Sequence, residues 1–80
     1  MQLTVLLFAS YAERFGAPSV SLTVGEGATV SDLLGRIAQL PQADGLPRSP
    51  LVAVNQRYAT RDQVLAAGDE VALIPPVAGG

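Results

Sequence analysis

The 80-residue sequence has no cysteine, no histidine and no tryptophan, and all five of its basic residues are arginine, so lysine is missing as well. Each absence removes a class of chemistry. Without thiol or imidazole the chain offers no thiolate nucleophile, no persulfide, no iron–sulfur ligand set, no zinc site of the ordinary kind and no side-chain base near neutral pH. No bound metal or cofactor is therefore expected. A disulfide framework is excluded, and the cytoplasm is the default compartment. Without lysine, no side-chain amine can accept an acyl group. Charge is sparse too: seven acids against five arginines give a net charge of −2 with no basic block. Phosphate binding needs clustered positive charge, so a nucleic-acid surface is not expected.

Long apolar runs are also missing. The hydrophobic fraction is 49% and the mean hydropathy +0.34, yet no stretch approaches the roughly 20 apolar residues needed to span a bilayer. Membrane insertion is not expected. The opening MQLTVLLFASYA has the apolarity of a secretory signal, but no basic residue precedes Arg14 and the pattern alternates like a strand, so no cleavage is expected. A chain of this length makes one domain with a modest core.

What is present is a succession of short, well-punctuated segments. Gln2 to Ala9 is rich in β-formers, with Leu3, Val5 and Leu7 on one face and Leu6 and Phe8 on the other. In SYAERFG, Ser10 and Glu13 have capping-box spacing and Gly16 is a stop signal, which predicts one helical turn. Ser19 to Val24 alternates with Val20, Leu22 and Val24 in phase and predicts a second strand, paired with the first as a hairpin. After the Gly25-Glu26-Gly27 turn, Thr29 and Asp32 form a second capping-box pair. Val30, Leu33, Leu34, Ile37 and Ala38 then make one apolar stripe, the signature of a helix that covers the sheet. Gly35 inside it reads as tolerated rather than required.

Pro41 to Pro50 holds three prolines and a glycine and predicts a loop. Leu51 to Asn55 predicts a short strand, NQRY a tight turn into a paired Tyr58, and TRDQVLAAGD an irregular or briefly helical connection with Gly68-Asp69 as its turn. EVALI, closing before Pro75, predicts a last strand beside the first. Residues 1–74 thus read as an α+β domain, a mixed sheet covered on one face by one main helix, and residues 75–80 as an extended tail.

A leading hairpin, one long helix, a GDEVALIPP return and a Gly-Gly ending resemble the ubiquitin-like β-grasp sulfur carriers over essentially the whole chain. The stretch LVAVNQRYATRDQVLAAGDEVALIPPVAGG is most similar to the small subunits of molybdopterin synthase; thiamin-thiazole carriers lack the double proline. The resemblance implies that the chain is not an enzyme by itself. An ATP-dependent partner would adenylate the carboxylate of Gly80, and sulfur from a donor protein would displace AMP to leave a thiocarboxylate. The adenylate and thiocarboxylate are then transient modifications of the tail. The sulfur would pass to a cyclic pyranopterin phosphate in the large subunit, with two small subunits on a dimer of large ones.

A terminal carboxylate, with a reference pKa of about 3.3–3.7, is already anionic at neutral pH and needs no neighbouring histidine. Pro75 and Pro76 favour a stiff exit, Val77 and Ala78 can be gripped, and Gly79 and Gly80 pass through a narrow channel. Phe8, Tyr58 and Ile74 lie on the sheet face that the helix leaves open and are expected at the partner interface, with Arg57 and Arg61 at its rim. Three alternatives use the same features: a sister carrier for thiamin thiazole or transfer-RNA thiolation, a protein modifier that joins Gly80 to a lysine, and an interaction module that does not use the terminus.

Overall fold

Strand β1 (Gln2–Leu7) has the burial that alternation predicts, with Leu3, Val5 and Leu7 inside and Gln2 and Thr4 outside. A computed structural model describes residues 1–44 and 50–75 of the chain. β1 pairs antiparallel with β2 (Ser19–Thr23), Gln2 opposite Thr23 and Leu6 opposite Ser19. The ladder runs one step further, as the Val24 amide donates to the Met1 carbonyl at 2.8 Å.

Helix α1 (Ser10–Phe15) connects the two strands, but its start differs from the expected capping box. Ser10 is the first helical residue rather than the cap. Ala9 takes the cap position with φ 50 and ψ −122, and no side chain caps the helix. The cause is a tight turn: the Tyr11 amide donates to the Phe8 carbonyl at 3.1 Å, which draws Ser10 into the helix and leaves its hydroxyl off the cap position. The end is as predicted. Gly16 adopts the left-handed conformation at φ 68, and the Gly16 and Ala17 amides return to the Glu13 and Ala12 carbonyls. Tyr11 is buried, and that burial raises its phenol above the ordinary value while the charge of Arg61 pulls the other way.

Helix α2 (Val30–Ala38) begins at the capping box read from the sequence: the Asp32 amide donates to Thr29 Oγ1 at 3.2 Å, and the Thr29 amide donates to Asp32 Oδ2 at 2.9 Å. Val30, Leu33 and Ile37 are buried, and their burial contributes about 5–9 kcal/mol before conformational entropy is subtracted. The buried stripe is narrower than expected. Leu34 lies on its flank, half-buried, and Ala38 is exposed, because the 3.6-residue period rotates both away from the sheet. Gly35 is exposed, and a Cβ there would meet nothing within 4 Å, so glycine is tolerated at this position as read.

A short 3₁₀ turn (Pro41–Ala43) follows, and part of the predicted Pro41–Pro50 loop lies outside the described residues. Strands β3 (Leu51–Val54), β4 (Arg57–Tyr58) and β5 (Glu70–Ile74) complete a five-stranded sheet in the order β2-β1-β5-β3-β4. β5 is parallel to β1 and antiparallel to β3, so the last strand does lie beside the first. The connection 59–69 is irregular, without the brief helix that was its alternative, and it serves α2. Its Arg61 and Gln63 carbonyls accept from the Ser31 and Val30 amides at 2.9 and 3.0 Å, two of the donors that a helix start leaves without partners. Leu65 plugs the core from the same segment. The core thus lies between one sheet face and the two helices. No helix among the described residues is long and apolar enough to cross a membrane.

Candidate functional site

Strand β5 ends at Ile74, and Pro75, which carries no amide proton, follows it out of the ladder. Pro75 is the one tail residue that the structure describes, and it is half-buried. Pro76, Val77, Ala78, Gly79 and Gly80 lie outside the described residues. What the structure places is the root of the tail and the surface beside it.

That surface is the sheet face opposite α2. The register sets four side chains in one row across it. Leu6 stands opposite Ala72, Ala72 opposite Ala53, and Ala53 opposite Tyr58. Two alanines between a leucine and a tyrosine leave a depression, because small side chains in the middle of a pleated row cannot fill the height that the larger ones set. Two residue pairs further, Ile74 and Leu51 face each other at the mouth where the tail departs. Phe8 stands at the end of β1. The resulting groove, about 390 Å³, is lined by Leu6, Phe8, Ala53, Tyr58, Ala72 and Ile74, with Gln56 and Glu70 as its polar members. Phe8 is 47% exposed and Tyr58 74%, large values for aromatic side chains.

The three interface residues expected from the sequence, Phe8, Tyr58 and Ile74, therefore lie together in one concavity. The expected arginine rim does not form. Arg57 is opposite Val54, whose side chain faces the core, so the pleat directs it away from Tyr58. Arg61 belongs to the segment that crosses the start of α2, where its carbonyl serves Ser31. Neither lines the groove.

Ala53, Ala72 and Glu70 are site residues that the sequence reading passed over, although alternation in β3 and β5 already put them on the face of Ile74. Gln56 had no such signal. It follows Asn55 in the turn between β3 and β4, and both have left-handed φ angles, 52 and 71. Asn55 tolerates that conformation and is held in it. Its Nδ2 donates to Asp69 Oδ1 at 2.9 Å, its Oδ1 accepts from the Glu70 amide at 3.0 Å, and its own amide donates to the Glu70 carbonyl at 2.8 Å. Asp69 Oδ2 accepts from the Ala66 amide at 2.8 Å. The Ala66 amide and the Asn55 side chain, donating to the ionised carboxylate, hold the Asp69 pKa below its ordinary value. The turn is thereby fastened to the start of β5.

Residues 5–80 match the model of the ThiS family. The chain belongs to the ThiS family. It is 40% identical to the molybdopterin synthase sulfur carrier subunit of Chlamydomonas reinhardtii, an alignment that covers 100% of both chains. It is also 37% identical to small archaeal modifier protein 1 of Haloferax volcanii, over 92% of this chain and 95% of that one. The crystal structure of that modifier matches the present fold with a TM-score of 0.83, covering 100% of both chains at 34% identity. The five-stranded mixed sheet with its covering helix is the ubiquitin-like β-grasp that the resemblance implied, where the order of elements alone gave a mixed α+β sheet.

Proposed function

We propose that this chain is the sulfur carrier subunit of a molybdopterin synthase, acting in the cytoplasm through a thiocarboxylate on Gly80. The observation that carries the proposal is the 40% identity to the Chlamydomonas carrier subunit along the whole of both chains. Composition supports it from the other side. A chain without cysteine or histidine carries sulfur through its main chain or not at all.

With Gly80 as the terminal residue, the chemistry requires no side chain of the carrier. A carboxylate oxygen attacks the α-phosphorus of ATP on an adenylating enzyme, and pyrophosphate leaves. Hydrosulfide released by a sulfur donor then attacks the acyl carbon, the carbon–oxygen bond to AMP breaks, AMP leaves with the bonding pair, the sulfur loses its proton, and the thiocarboxylate remains. The large subunit supplies the acid–base groups for transfer to the cyclic pyranopterin phosphate. The carrier contributes a tail without side chains at its tip, Gly79 and Gly80, which a narrow channel can enclose on all sides. It also contributes the surface around Phe8, Tyr58 and Ile74, on which the large subunit rests.

A second reading, that Gly80 is joined to a lysine of a target protein, is favoured by the identity to the archaeal modifier. Both are tested by intact mass. Incubation with ATP, the adenylating enzyme and a sulfur donor is expected to exchange one terminal oxygen for sulfur, and the sulfur is lost only when large subunit and pyranopterin substrate are added. Charging without discharge, together with covalent adducts on other proteins, would establish the modifier instead. Gly80→Ala, or one residue appended after Gly80, is expected to abolish charging and leave the fold intact. Normal charging of the appended variant would remove the terminus from the mechanism.

A further inference from the structure

Among the described residues, three that are not glycine have positive φ angles: Ala9, Asn55 and Gln56. Asparagine adopts that region readily, but alanine and glutamine do so at a cost of about 1–2 kcal/mol. The two strained positions flank one feature. Ala9 follows Phe8, and Gln56 itself lines the groove. Gln56 is the more telling. In a two-residue turn with both central residues at positive φ, Asn-Gly is the preferred pair. Glycine at position 56 would relieve the strain, yet the chain keeps a long amide there.

The amide is left unused by the described residues. Gln56 is exposed, and its side chain has no hydrogen-bond partner among the described residues. Its neighbour, by contrast, is fastened through Asn55, Asp69, Ala66 and Glu70, so the turn cannot relax and Gln56 stays at the groove's edge. Strain that the surroundings enforce, at a residue idle in the fold, marks a residue used elsewhere.

We propose that Gln56 is a specificity-determining contact for the acceptor subunit, its amide donating to and accepting from that protein's backbone beside the apolar groove. The inference rests on the carrier reading. On that reading only five residues, 76–80, separate Pro75 from the reacting carbon, a reach of at most about 17 Å. A protein that holds Gly80 in its active site must therefore bring its surface against the groove, whose mouth Ile74 forms. The groove's apolar floor and two exposed aromatic rings suit a lasting subunit contact rather than a passing encounter, and the Chlamydomonas relative is named as a subunit.

The test compares Gln56→Gly and Gln56→Ala with the unaltered chain in three measurements: thermal unfolding, adenylate formation, and titration with the large subunit. Gln56→Gly is expected to raise Tm by about 3–6 °C and to weaken binding of the large subunit about three- to ten-fold, the effect of hydrogen bonds lost at an interface. Gln56→Ala, which keeps the backbone strain and removes the amide, is expected to weaken binding equally without the gain in Tm. Adenylate formation is expected to change less than binding. Unaltered binding of both variants, with charging and discharge of the unaltered chain intact, would overturn the role of Gln56 and leave the carrier reading standing. Loss of adenylation alone would reassign Gln56 to the adenylating enzyme and overturn the proposal. Failure of the unaltered chain to charge or to bind would overturn the carrier reading and this inference with it.

Discussion

The two faces of the sheet are built from similar residues and treated differently. Under α2 the side chains of Leu3, Val5, Leu7, Val52, Val54, Val71 and Leu73 are all at most 5% exposed. On the other face Leu6, Ala72 and Ile74 are half-buried, while Phe8, Leu51 and Tyr58 are exposed. Hydrophobicity alone does not distinguish the two sets. Alternation along β1 and β5 assigns each residue to a face, and the one long helix decides which face is closed. Apolar side chains in excess of what the fold can cover are the residues a partner can use.

The difference is sharpest between neighbours on β5. Leu73→Ala is expected to cost about 2–5 kcal/mol in urea unfolding, because the cavity opens in a closed core. Ile74→Asp, one residue on, is expected to leave stability within about 1 kcal/mol of the parent, as for surface substitutions generally. It should nevertheless weaken association with the large subunit by about thirty-fold, as loss of a central contact of about 2 kcal/mol would. If both substitutions destabilised the fold equally, the open face would be core after all. Tyr58→Ala is expected to behave like Ile74→Asp with a smaller loss, read by the same titration.

Thr29→Ala disturbs the cover rather than either face. It removes the acceptor for the Asp32 amide and is expected to cost about 1 kcal/mol in stability, without change in partner affinity for the folded protein. The smallest effect concerns acid. Asp69 has a folded pKa below its unfolded one, so its contribution is complete above the unfolded value and is lost as pH falls through the folded value. The stability difference between the parent and Asp69→Asn is therefore expected to hold at neutral pH and to shrink steadily below about pH 4. A difference that grew in acid would contradict the hydrogen bonds from Ala66 and Asn55.

Much of this was legible before the structure. The Thr29-Asp32 box, the glycine stop at Gly16 and the strand faces rest on local rules, and each survived. The departures share a physical origin in tertiary context. Ser10 and Glu13 have the spacing of a cap, but the Phe8–Tyr11 turn claims the chain first. Leu34 and Ala38 belong to the apolar stripe in sequence, yet the helical period turns them off the buried line of Val30, Leu33 and Ile37. Arg57 and Arg61 are near Tyr58 in sequence and directed elsewhere by the pleat and by the path over α2. The groove itself depends on Ala53 and Ala72 standing opposite each other, a register between strands that no single segment encodes.

The parallel pairing of β1 with β5 has a consequence for synthesis. Thr4 to Leu7 find their partners in Glu70 to Leu73, 66 positions later (70 − 4), so the middle of the sheet cannot assemble until β5 has been made. Such distant pairing slows folding. It also acts as a check on completeness: a chain interrupted before β5 has neither a closed core nor a finished groove to offer a partner. The groove and the root of the tail come into being together.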